Sequence, residues 1–83
     1  MEKHQIGTIT DYLPEIDTAL ITLTETVSLG DEIIIGEGEE QFGQTIELLQ
    51  IGEESVDTAE AGAQIGTEVI QPVKVGMPVF KEL

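Results

Sequence analysis

Cysteine is missing from this 83-residue chain, which excludes a disulfide framework, a thiolate nucleophile and any zinc site built on sulfur. Arginine is missing too, and lysine occurs only as Lys3, Lys74 and Lys81. Affinity for a phosphate backbone comes largely from several cations that displace condensed counterions, so this supply disfavours nucleic acid, tRNA included, as a partner. Tyr12, Phe42 and Phe80 are the whole aromatic stock for stacking on bases. No G-x-x-x-x-G-K-[ST] phosphate cradle is present, so nucleotide binding is not expected. The longest stretch without polar or charged side chains runs from Val75 to Phe80, far below the ~18 residues of a membrane span. The N-terminus carries no apolar signal core. A soluble, cytoplasmic protein is expected.

What is abundant is acid. Seventeen Asp and Glu give a formal net charge of -14 at pH 7. Repulsion of that size keeps a chain soluble and weakens its compact state, a cost that added salt relieves. A chain of this length forms one domain, taken here as 1–83 with a core from about 6 to 80, and buries a little over roughly 60% of its unfolded surface.

Periodicity favours strands throughout. Asp17–Leu23 sets Ala19, Ile21 and Leu23 on one face against Thr18, Leu20 and Thr22, with the β-branched types that suit a pleated surface. Asp31–Ile35 is short and β-branched. Gln44–Ile51 reads as one alternating strand, and Ala63–Ile70 sends Ile65, Thr67 and Val69 one way. Asp57–Ala63 has a helix-like composition, but Gly62 limits it, and a loop is expected. Turn residues every ten or so positions point to an all-β protein, and closing the sheet removes edges that invite foreign strands.

One pattern occurs three times: Val27–Ile33 (VSLGDEI), Ala59–Ile65 (AEAGAQI) and Val73–Val79 (VKVGMPV). Each places Gly30, Gly62 or Gly76 between apolar or small residues, at spacings of 32 and 14 residues. This is a recurring corner rather than a solenoid repeat. The glycine supplies a positive φ, Asp31 bonds nearby backbone N–H groups, and Val27 and Leu29 tuck under the barrel rim, with Ala61 and Val75 in the place of Leu29.

The order of these features resembles the second domain of translational GTPases such as elongation factor Tu, over about Ile6 to Phe80. The stretches that carry the likeness are Gly7–Ile9, Val27–Ile33, Ile46–Leu49, Ala61–Gly66 and Val73–Val79. The chain is also similar to small free-standing elongation-factor-like proteins and to the barrel appended to some U32 peptidases. The resemblance implies a closed, mostly antiparallel Greek-key β-barrel of about six strands. It also implies either a retained hold on the aminoacyl end of tRNA or a ribosomal element, or an accessory role beside a peptidase.

No residue set announces a chemistry. The acidic stretches Gly36–Gln41 and Gly52–Asp57 lack the D-x-[DN]-x-[DN]-G order of a calcium loop and read as solvated tips, so no metal is expected. His4 is the single histidine and lies near the terminus. Ser28 and Ser55 have no histidine nearby in sequence. The chain is therefore expected to be non-enzymatic, without cofactor or catalytic residues. Tyr12 and Pro14, in the link between the first two strands, either close one barrel end, the preferred reading, or offer an anchor to a partner. A protein with a basic surface is the expected partner.

Overall fold

Ten short strands follow one another along residues 3 to 82, the part of the chain that the computed structural model describes, the side chain of Glu82 excepted. They are β1 (Lys3–Leu13), β2 (Thr18–Leu23), β3 (Val27–Ser28), β4 (Glu32–Ile35), β5 (Phe42–Thr45), β6 (Gln50–Ile51), β7 (Glu54–Ser55), β8 (Thr58–Ala59), β9 (Gln64–Glu68) and β10 (Pro78–Glu82). Two single 3-10 turns, Pro14–Ile16 and Gly38–Glu40, are the helical content of the described residues. Asp57–Ala63 contains β8 and a turn, so the expected loop is partly strand.

Eight strands form one antiparallel sheet in the order β5-β4-β10-β1-β2-β9-β6-β7, and β3 pairs with β8 beside it. The sheet curls into a half-barrel. It is not closed, and it has more strands than the expected six or so: β5 and β7 remain as margins. Curvature begins in β1, whose pairing slips between Gln5 and Gly7 against β10 and between Ile9 and Asp11 against β2. Such bulges bend a strand and strengthen its twist. The first, at Ile6, also lets Ile6 and Ile9, three apart, both enter the core. Gly7 lies at the tightest approach: a Cβ there would stand 2.7 Å from the Thr22 carbonyl oxygen and 2.8 Å from Ile21 Cγ2.

The reason the cylinder stays open lies between Thr45 and Gln50. An alternating strand cannot turn Ile46 and Leu49 the same way, yet both are buried. The chain leaves the pleat at residues 46–49 and resumes it in β6. Gln44 spans the resulting seam. Its amide donates to the Glu68 carbonyl at 2.7 Å and accepts the Ile70 N–H at 3.0 Å, as one residue of a neighbouring strand would.

The three Gly corners share one geometry. Asp31, Ala63 and Met77 N–H each donate to a carbonyl three residues back, on Ser28, Glu60 and Lys74, at 3.1, 3.1 and 3.2 Å. Gly30, Gly62 and Gly76 have φ of 91°, 91° and 95°, and only the glycine of each turn is positive, which defines a type II turn. Each glycine N–H then donates to a buried aliphatic residue, Ile46, Leu23 or Ile9, and that residue's N–H donates back to the position after the glycine, all at 2.8–2.9 Å. Val27, Ala59 and Val73, three before the glycine, are buried, and so are Ile33, Ile65 and Val79, three after it. Leu29, Ala61 and Val75, expected under the rim, are exposed instead. The residue before the glycine in such a turn stands at the outer bend, away from the strand that the corner bonds.

Candidate functional site

The charged residues lie mostly on the outside, and among the described residues few of the acids meet an opposite charge. Asp31 is the best supported acid: one carboxylate oxygen accepts the Ser28 N–H at 2.9 Å and the Lys81 ammonium at 3.1 Å. It thereby ties the first corner to β10. Lys3 donates to Gln41 at 2.9 Å and lies 4.9 Å over the Phe80 ring. Lys74 is 3.9 Å from Glu40. Lys3 and Lys81 are thus engaged by neighbours, while Lys74 stays largely exposed beside Glu40.

The sequence-named chemistry does not converge. His4 lies 3.4 Å from Glu25 at the surface. Ser28 Oγ stands 3.2 Å from Thr58 Oγ1 across the β3–β8 pair, and Ser55 is in the β6–β7 hairpin. The acidic tips separate: Glu39 and Glu40 occupy the 3-10 turn after β4, and Glu53 and Glu54 the hairpin around Gly52. Among the described residues no three His, Asp or Glu side chains gather in a way that could hold a metal. No helix of the described residues is long and apolar enough to cross a membrane.

Two surface features remain. One is a shallow groove of about 470 Å³ across the outer face of β4 and β5, lined by Glu32, Ile34, Gly43, Gln44, Thr45 and Lys81. A Cβ at Gly43 would meet only the Ile33 carbonyl, at 3.7 Å, so the floor there is open. Groove walls of mixed charge, with no cluster of acids or histidine among them, supply contact rather than reaction. The other is the end of β1 and the turn after it. Tyr12, expected in the link, lies inside β1 opposite Ala19 and is half-buried against the core, while Leu13, Pro14 and Ile16 face solvent. The named pair therefore divides its work: Tyr12 packs, and Pro14 opens the 3-10 turn with its ring exposed. Sequence reasoning missed Ile70, which this end of the sheet also exposes.

No protein-family model matches the chain, and no curated protein sequence matches it. Similarity appears in solved structures. Two crystal structures of the C-terminal domain of a Geobacillus thermoleovorans protein assigned as a U32 peptidase superpose on this chain. The selenomethionine variant has a TM-score of 0.88 at 23% identity, covering 94% of this chain and 99% of that one. The second has a TM-score of 0.88 at 24% identity, covering 95% and 92%. Of the two families that the motif order resembles, these structures bear on the peptidase-appended barrel. The translation-factor likeness rests on the motifs alone.

Proposed function

We propose that this chain is a non-catalytic accessory module of the U32-peptidase C-terminal type, working by contact with the body of such a peptidase. The overlap of almost the whole chain with almost the whole of that domain carries the reading. The paired lysines and scattered acids support contact rather than turnover, and a net charge of -14 favours a partner with a basic face. The expected sequence of events is electrostatic approach followed by seating of a small apolar area.

The 83-residue chain, immobilised and supplied in trans to a lysate of the organism that encodes it, tests this. Mass spectrometry is expected to identify a U32-type peptidase, retained at low ionic strength and weakened at about 0.15 M salt. Recovery of no such peptidase overturns the reading. So does saturable binding of charged tRNA that survives the same salt, or hydrolysis of any peptide by the purified chain alone.

A further inference from the structure

Ile16 and Ile70 are 60% and 72% exposed, yet the fold holds both in fixed places. The β2–β9 register pairs Thr18 with Glu68, and the Val69 N–H extends it by donating to the Asp17 carbonyl at 2.8 Å. Ile16 and Ile70 therefore leave the sheet at the same end, on neighbouring strands. Pro14 fixes φ at the start of the turn that carries Ile16. Asp17 closes that turn at φ 50°, the one positive φ outside glycine among the described residues. The backbone of Ile70 is gripped by the Gln44 amide. Neither side chain belongs to the core. Leu13 and Pro14, also exposed, extend the apolar surface on the Ile16 side, where they line a shallow hollow with Glu15 and Ile16.

We infer that the ridge of Leu13, Pro14, Ile16 and Ile70 is the docking surface of this chain, and that its occupant is a protein surface with an apolar pocket bordered by Lys or Arg. This rests on the functional reading above and names the contact that the peptidase body makes. Apolar anchors whose backbones are already held lose little freedom on binding, which is how a small ridge gains affinity. The border decides the occupant. Glu15, Asp17 and Glu68 beside the ridge are exposed acids, Lys3 and Lys81 are held by Gln41 and Asp31, and Lys74 belongs to the third corner rather than to the ridge. A second copy would bring acid against acid. A basic rim brings complementary charge and selects against self-association.

The test titrates the U32-type peptidase captured by the wild-type chain against three variants: Ile70→Ser, Ile16→Ser with Ile70→Ser, and Val75→Ser. Val75 is 67% exposed on the third corner and serves as the control. All sites are at the surface, so melting temperatures are expected to stay close to that of the wild type. The double variant is expected to bind about thirtyfold more weakly, Ile70→Ser alone about tenfold, and Val75→Ser as the wild type. Binding of the double variant within about twofold of the wild type, while the wild type does capture the peptidase, overturns the ridge and leaves the functional reading standing. If the wild type captures no such peptidase, that reading fails and the ridge assignment falls with it. Sedimentation showing a wild-type dimer that the double variant dissolves overturns the partner in favour of a second copy.

Discussion

From Lys3 to Leu23 the chain spends most of its residues on two long strands, of 11 and 6 residues, joined by a ladder that one bulge interrupts. From Phe42 to Ala59 no strand exceeds four residues, and three have two. Both regions bury aliphatic side chains and satisfy backbone groups. The first does so by repetition. The second relies on isolated links: the reciprocal bonds of Ile46 with Gly30 and Asp31, Val56 N–H to Leu49, Leu29 N–H to Asp57, and the two bonds of the Gln44 amide across the seam. A ladder distributes its support, so loss of one bond is shared. A seam concentrates it.

Cavities at Leu23 and Leu49 should give the widest separation between the two regions. Both leucines are buried, at 2% and 1% exposure. Leu23 is clamped on both sides, by Gly7 across the β1 ladder and by the reciprocal bonds with Gly62 and Ala63. Leu49 lies in the irregular 46–49 segment, which can collapse around a void. Leu→Ala substitutions cost about 2–5 kcal/mol according to how far the site relaxes. Leu23→Ala is expected near the top of that range and Leu49→Ala near the bottom, read from urea unfolding midpoints. The reverse order would break the comparison.

Two glycines sharpen it at lower cost. Gly7 in the ladder is needed for room, and Gly62 at a corner is needed for its φ, because a Cβ there meets nothing within 4 Å. Gly7→Ala forces backbone apart and is expected to cost about 3 kcal/mol, the upper end of overpacking. Gly62→Ala should cost about 1–2 kcal/mol, the left-handed penalty of an L-residue. Equal midpoints for the two variants would show that the ladder yields as easily as a turn.

Gln44→Met keeps length and removes the clamp. Two hydrogen bonds at about 1 kcal/mol each set the expected loss at about 1–2 kcal/mol. Amide exchange at Ile70 is expected to accelerate more than that at Thr67, which sits inside the β2–β9 ladder. Uniform acceleration would mean that the seam is not a separate unit.

These contrasts mark where the sequence was readable. The corners announced themselves because a glycine of positive φ must recur wherever the same turn recurs, and the alternation of β2 and β9 reports their buried faces. Leu29 and Val75 misled because they are as apolar as Val27 and Val73, and only the turn type decides which of each pair faces inward. Closure misled because Gln44–Ile51 can be read as one alternating strand, while the buried residues, Ile46 and Leu49, lie three apart. A glutamine within a strand carries no sign that its amide will replace a ladder bond. Of the candidate docking ridge, Pro14 was visible from its place in a strand link. Ile70 was not, because its neighbourhood with Ile16 is made by a pairing across more than 50 residues.

Thr67 provides the smallest effect and one of opposite sign. It lies on β9, the strand that both regions share, opposite Ala19 on one side and next to the single β6 contact at Gly66. Its side chain is fully buried, and its hydroxyl has no hydrogen-bond partner. A hydroxyl taken from water without compensation costs about 1–3 kcal/mol, while its two methyl-sized branches pack as valine would. Thr67→Val is therefore expected to stabilise by about 1 kcal/mol, raising the melting temperature by about 4–8 °C for a domain of this size. Thr67→Ser keeps the hydroxyl, removes a buried methyl and should lower it. If valine lowers the melting temperature instead, the hydroxyl is satisfied in solution by an ordered water, and β9 then depends on a single polar bond in the way that the seam does.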